Sequence, residues 1–216
     1  MEQSPARSTM SDRNKKRKWQ FFEALYYQLL NHYEKILVAQ NKREIIEEVK
    51  DKTIKLIDST TISLCLSMFN WAKYRGIKVH ICWDDDLMIP DIINITEAKL
   101  NDSKGFENLV FPKDTIIIED RAYFDFSLML SRIKAKNVFV TRLKKDTIIS
   151  PIAETDLPEN ADDAILKDEI IKFSSKKAKK SGISEEKLRL IYVYKKEDNK
   201  IIEIVTNQLE WEAKTI

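Results

Sequence analysis

Two cysteines and two histidines are all that 216 residues contain of the usual soft metal ligands. Cys65 and Cys82 show no paired metal-ligand spacing and are too few for a disulfide framework. They fit reduced, buried thiols of a cytosolic protein. His32 and His80 lie too far apart for a local zinc site, so both read as structural. No apolar run reaches the roughly 20 residues that a membrane-spanning helix needs. The N-terminus also lacks the apolar segment of a signal peptide, so a cytoplasmic protein without a membrane partner is expected. No internal repeat is present, which removes solenoid architectures.

Charge is plentiful: 33% of residues are Asp, Glu, Lys or Arg, with a net charge of only +2. Its distribution is uneven. Arg7, Arg13, Lys15, Lys16, Arg17 and Lys18 crowd one end, and Lys176, Lys177, Lys179 and Lys180 form a second cluster. Such clusters are the footprint of a polyanion partner, and equally of a solvated face. The length allows one large or two small domains with a real core.

The first regular pattern is helical. Phe22, Leu25, Tyr26, Leu29, Leu30 and Tyr33 recur at spacings of three and four, and Ser11 or Asp12 upstream can act as a cap. This predicts a helix from Trp19 to about Leu37 whose aromatic stripe packs into a core. Residues 41–52 read as a charged connector with some helix. Residues 55–64 then read as a strand, being rich in β-branched residues. Leu66–Tyr74 is an apolar connection. Ile77–Trp83 alternates as a half-buried strand, and Asp84, Asp85 and Asp86 form a solvated turn. Residues 88–96 are a third strand, placed at an edge or starting at Pro90.

A short helix is expected over Asp102–Leu109. Residues 115–120 are a continuous apolar run of the kind buried on both faces of a sheet. An amphipathic helix over Phe126–Lys136 and a strand over Asn137–Arg142 come next. Ser150–Asp163 reads as loop, Ala164–Phe173 as helical, and Leu188–Tyr194 with Lys200–Thr206 as a hairpin turning at Glu197-Asp198-Asn199.

Two acids stand out. Asp58 interrupts a strand, where an unpaired buried charge costs on the order of several kcal/mol. It can be a strand-end acid accepting hydrogen bonds from Ser59 or Thr60, or a metal ligand. Asp120 closes the apolar run 115–120, and the ends of strands are where α/β folds place chemistry. The strand order predicts a sheet of three antiparallel strands with parallel additions. In it the first and fourth strands are neighbours, and Asp58 and Asp120 face one end. Two adjacent carboxylates repel unless a cation lies between them, and Mg²⁺ there serves phosphoryl chemistry.

The residues around these acids carry a resemblance. Ile57-Asp58-Ser59-Thr60-Thr61-Ile62-Ser63-Leu64, with Trp71-Ala72-Lys73-Tyr74-Arg75 after it, resembles the first-aspartate segment of bacterial insertion-sequence transposases of the family numbered four. Glu119-Asp120-Arg121-Ala122-Tyr123-Phe124-Asp125-Phe126 is similar to that family's second-aspartate segment. Val140-Thr141-Arg142-Leu143-Lys144, the upstream Arg7–Asn14 and the closing Thr206-Asn207-Gln208-Leu209-Glu210-Trp211 also match in order.

The resemblance implies a DDE transposase: a ribonuclease-H-like mixed α/β sheet flanked by helices, with a β-rich insertion subdomain. Residues 1–50 would form a basic and helical N-terminal region, 51–145 the core and 146–216 the insertion. Asp58 and Asp120 would be the catalytic metal ligands of a site holding two Mg²⁺ (or Mn²⁺) ions. Arg121, Tyr123, Arg142, Lys144 and Lys145 would support Asp120 or contact the DNA backbone. The partners implied are double-stranded DNA, at element terminal repeats and at the target, and a second copy or an intact transposase.

The chain departs from the family at the third acid, which there lies in the pattern Tyr, two residues, Arg, three residues, Glu, six residues, Lys. No such spacing occurs in this sequence. Tyr192 and Tyr194 lack the Arg, Glu210 and Glu212 come too early, Glu97 is a poor substitute, and Glu119 should point to the opposite face from Asp120. The family also carries a domain before the Arg7 segment. The expectation is therefore a copy truncated at both ends, lacking the final catalytic helix, and inactive alone or reduced to a non-catalytic DNA-binding or transposase-interacting remnant.

Overall fold

A computed structural model describes residues 7–40, 47–63, 76–157 and 162–216. The chain divides into two compact units, Met1–Lys42 and Arg43–Ile216. The first holds α1 (Arg7–Lys16) and α2 (Trp19–Gln40). Ser11 and Asp12, expected as caps, lie inside α1. Helix α2 runs about a turn's length beyond its expected end. Two helices cannot by themselves bury its aromatic stripe, and Phe22, Leu25, Leu29 and Tyr33 are exposed rather than core.

The second unit is built on one nine-stranded sheet. Its strands are β1 (Ile54–Ser63), β2 (Gly76–Asp84), β3 (Ile89–Glu97), β4 (Ile116–Glu119), β5 (Val138–Arg142), β6 (Ile149–Glu154), β7 (Ile165–Phe173), β8 (Leu188–Lys195) and β9 (Lys200–Thr206). Their order across the sheet is β3-β2-β1-β4-β5-β9-β8-β7-β6. The pairs β1–β4 and β4–β5 are parallel, and all others are antiparallel. The first and fourth strands are thus neighbours, as the sequence predicts. Strands β6 to β9 continue the same sheet through β5 and β9, so the boundary expected at residue 145 falls inside one compact unit.

Among the described residues, this unit also holds three short α-helices: α3 (Asp102–Gly105), α4 (Phe126–Lys134) and α5 (Lys176–Ser181). Asp125 caps α4 by accepting from the Ser127 and Leu128 amides. Ser175 caps α5, and Gly182 closes it at a positive φ of 88°. No apolar periodicity announces this helix in the sequence, although its Ser and Gly signals are in plain order.

Two further expectations are corrected. Residues 165–173 form β7 instead of a helix, because Ile171 and Phe173 bury on one face while β8 pairs along the strand. Residues 149–154 form β6 instead of a loop. It is an edge strand, where proline is tolerated, and the register shifts just after Pro151. Pro90 likewise sits in β3, at the other edge. The connection Leu66–Tyr74 and the Trp71–Arg75 motif lie outside the described residues, as do 41–46 of the connector.

The core has two parts. One is wholly apolar, with Phe124, Met129, Phe139, Ile171, Phe173, Leu190 and Val205 at its centre. The other is smaller: Ile57, Cys82, Phe106, Phe111, Ile117 and Tyr123. Ile118 is 38% exposed while Ile116 on the same face is buried, so β4 is fully buried on one face and only at its start on the other. Where β9 leaves the sheet, the Asn207 side chain imitates a strand. Its Oδ1 accepts from the Phe139 amide and its Nδ2 donates to the Asn137 carbonyl, each at 2.9 Å.

Candidate active site

The register of three parallel strands places the site. Leu56 on β1 pairs with Ile118 on β4, which pairs with Val140 on β5. Two residues further along each strand come Asp58, Asp120 and Arg142. Side chains alternate in a strand, so all three project to the face of Leu56 and Ile118. Ile57, Glu119 and Thr141 form the neighbouring row and are buried on the opposite side. Adjacent strands lie about 4.8 Å apart, which brings the two acid-bearing backbones side by side.

Asp58 is exposed, and its Oδ1 accepts from the Ser59 amide at 2.7 Å. Asp120 stands just past β4 and begins the 3-10 turn Arg121–Tyr123. Its Oδ1 accepts from the Ala122 amide at 3.0 Å, and its Oδ2 is ion-paired with Arg142 Nη2. Partial burial pushes the Asp120 carboxyl up. The Ala122 hydrogen bond, Arg142 and Arg121 outweigh it and hold the carboxyl below the usual range. Arg121 is exposed beside Asp120. Lys144 and Lys145 are exposed in the turn after β5, where Lys144 lines a cavity of about 360 Å³ with Ser127, Thr147, Ser175 and Lys177.

Tyr123 is placed differently. It is 1% exposed and packs in the smaller core, so direct contact with a DNA backbone is set aside for it. Its hydroxyl lies 2.9 Å from His80 Nδ1. His80 reads from sequence as structural, and nothing in its strand pattern signals a neighbour in the second-acid turn.

Glu119 is the other residue that sequence reasoning leaves without a role. It is buried, both carboxylate oxygens lack a hydrogen-bond partner, and burial raises its pKa to about 7 against a partial offset from Arg132. Arg132 lies over the Phe111 ring, 4.8 Å from its centre, and donates to the Leu109 carbonyl. At the far end of β1, Lys55 is ion-paired with Asp84 and Asp91. Asp84, expected in a solvated turn, is buried and also accepts from the Leu87 amide.

The donor set at Asp58 and Asp120 is carboxylate oxygen, which suits a hard divalent cation such as Mg²⁺ or Mn²⁺. Asp120 already holds a cation in Arg142, which shows that the position accepts positive charge. Among the described residues no group of three or more His, Cys, Asp or Glu side chains comes together as a metal cluster.

The fold and the site define a mixed α/β protein with two candidate acids at one end of two neighbouring parallel strands. Residues 49–210 match the transposase DDE domain, and the chain belongs to that family. It is 27% identical to a putative transposase, y4zB, of Sinorhizobium fredii over 210 residues, covering 94% of this chain and 55% of that protein. It is 20% identical over 195 residues to a probable transposase for insertion sequence element IS5377 of Geobacillus stearothermophilus, covering 88% and 50%. The chain therefore spans about half the length of the curated relatives it matches. A solved structure of the piggyBac transposase synaptic complex with hairpin DNA aligns with 73% of this chain and 34% of its own, at 12% identity and a TM-score of 0.42. No described helix is long and apolar enough to cross a membrane.

Proposed function

We propose that this chain carries the first two acids of a DDE transposase site and acts in DNA transposition, the cutting and joining of DNA at the ends of a mobile element. The observation that supports this most is the shared row of Asp58, Asp120 and Arg142 on neighbouring strands, within a chain of the transposase DDE family. The fold on this reading is ribonuclease-H-like, with β6 to β9 as the insertion, and the relatives are insertion-sequence transposases of the family numbered four.

Asp58 and Asp120 would hold divalent metal. When bound, such ions activate the attacking oxygen and stabilise the leaving one in phosphoryl transfer. The protein's own groups prepare that site. The Ala122 amide fixes the Asp120 carboxylate, and the Ser59 amide fixes that of Asp58. Arg142 and Arg121, with the Ala122 amide, lower the Asp120 pKa and so favour its ionised form. Lys144, Lys145 and the lysines of α5 provide exposed positive charge for phosphates, whose neutralisation makes binding salt-dependent.

With two acids brought together among the described residues and no third beside them, this chain binds metal and DNA without turnover; a DNA-binding or transposase-pairing role is the second reading, carried by its exposed lysines. A nicking and strand-transfer assay on element-end DNA with Mg²⁺ or Mn²⁺ tests both. DNA binding that weakens steeply with salt, with no product, is expected. Product formation abolished by Asp58→Ala would overturn the absence of turnover, and salt-independent binding would overturn the DNA reading.

A further inference from the structure

A buried chain of polar side chains runs beneath the candidate site, and neither acid belongs to it. His80 on β2 is fully buried. Its Nδ1 lies 2.9 Å from the Tyr123 hydroxyl, and its Nε2 lies 2.9 Å from Thr96 Oγ1 on β3. The Ser59 hydroxyl donates to Asp102 Oδ1, at the start of α3, and Ser59 lies directly opposite His80 in the β1–β2 register. Lys78 Nζ completes the end of the chain, 3.2 Å from Asp102 Oδ2 and 2.9 Å from the Leu100 carbonyl.

The protons can be ordered from the charged end. The Asp102 carboxylate only accepts, so Ser59 must donate to it. His80 joins the Tyr123 and Thr96 hydroxyls through its two ring nitrogens, one donating and the other accepting. Burial, offset in part by Asp102 and aided by Lys78, lowers the His80 pKa, so the ring is neutral with one donor and one acceptor, as this order needs. Gly105 makes the arrangement possible, since a Cβ there would fall 2.4 Å from His80 Nδ1. The Gly105 carbonyl also accepts from Asn94 Nδ2, which holds α3 against the ring.

The ends of this chain lie beside the acids. Ser59 follows Asp58 in β1, and Tyr123 closes the 3-10 turn that Asp120 opens. The β1–β4 ladder stops at Ile57 and Glu119, one residue before both acids, so backbone pairing between these two strands does not join Asp58 to Asp120. We propose that Ser59, Tyr123, His80 and Asp102 form a buried clamp that fixes the Asp120 turn against the Asp58 strand, with His80 and Tyr123 as positioning residues for the acid pair.

The metal consequence of this clamp rests on the reading of Asp58 and Asp120 as metal ligands; the clamp itself does not. The test therefore has two readouts on the full chain. The first is amide hydrogen exchange at residues 59–61 and 121–123, with strands β7 to β9 as internal control. The second is Mn²⁺ affinity by electron paramagnetic resonance of the free ion. Tyr123→Phe, which keeps the ring and its packing, and His80→Leu should speed exchange at both segments. They should also weaken Mn²⁺ binding about tenfold or more, as loss of outer-shell partners does. His80→Asn, which retains a donor near the Nδ1 position, should stay close to the parent in both.

Unchanged exchange in a folded Tyr123→Phe variant overturns the clamp. Faster exchange with undiminished Mn²⁺ affinity overturns its positioning role, and so does a His80→Asn protein as weak as His80→Leu. If the parent takes up no Mn²⁺, or Asp58→Ala leaves its uptake intact, the metal reading fails and the clamp stands or falls on exchange.

Discussion

The two parts of the core differ in their balance of apolar and polar contacts. Around β7 to β9 with α4 and α5 the apolar cluster is the larger and its rings interlock: Phe124, Phe126 and Phe173 meet with centroids 5.0 to 5.8 Å apart, while β7 and β8 also bury the Arg189–Asp168 ion pair. Around β1 to β4 the apolar cluster is smaller. Lys55, Asp84, His80 and Glu119 are buried with it, and the opposite face leaves Ile118 partly exposed. Apolar burial is strong and tolerant of small shifts, whereas hydrogen bonds and ion pairs are directional. The acids lie on the half with the smaller apolar cluster, where directional contacts carry more of the packing. A site that must hold two carboxylates against their own repulsion gains from interactions that specify angle as well as proximity.

The largest effect that separates the halves should come from Phe173→Ala. Removing a fully buried ring from the apolar half should cost about 3–5 kcal/mol, read as a fall in chemical-denaturation midpoint. Exchange at Ser59 and Ala122 should change only as global stability does. Lys55→Met comes next. It leaves Asp84 and Asp91 paired with nothing cationic at that point and should cost about 3 kcal/mol, with exchange rising first in β1 to β3. A neutral outcome would break the comparison, because the acid-bearing half would then not depend on its buried charges.

The smallest effect concerns pH. Glu119 in the folded chain titrates at about 7, above the ordinary value of 4.5. Between those values the folded chain binds the proton that the unfolded chain has released. This contribution to stability is therefore complete below about pH 4.5 and is lost as pH rises through 7. Glu119→Gln should flatten the fall in melting temperature between pH 5 and 8. A slope identical to the parent would mean that Glu119 does not titrate in that range.

The order of the first five strands is legible because β-branched runs at 55–64 and 115–120 and the alternation at 77–83 are strong local signals. The acids are legible for the same reason, each standing at the end or in the middle of such a run. The features that escape the sequence are decided by tertiary context. Residues 165–173 carry apolar groups that suit a helix as well as a strand until β8 and β6 supply partners on both sides. Asp84 looks solvated because two further acids come after it, and its cation, Lys55, lies across the strand pair. His80 and Tyr123 are 43 residues apart, and no spacing rule links them.

Asn207 has a consequence that reaches the acid row. Its side chain bonds the backbone of Asn137 and Phe139 at the start of β5, about 70 residues away in sequence. If β9 slipped by one residue along β5, both bonds would break and every side chain of β9 would change face. The phase of β5 against the rest of the ladder is thereby locked from a distant part of the chain. Because Arg142 ends β5, that lock also decides which cation stands opposite Asp120.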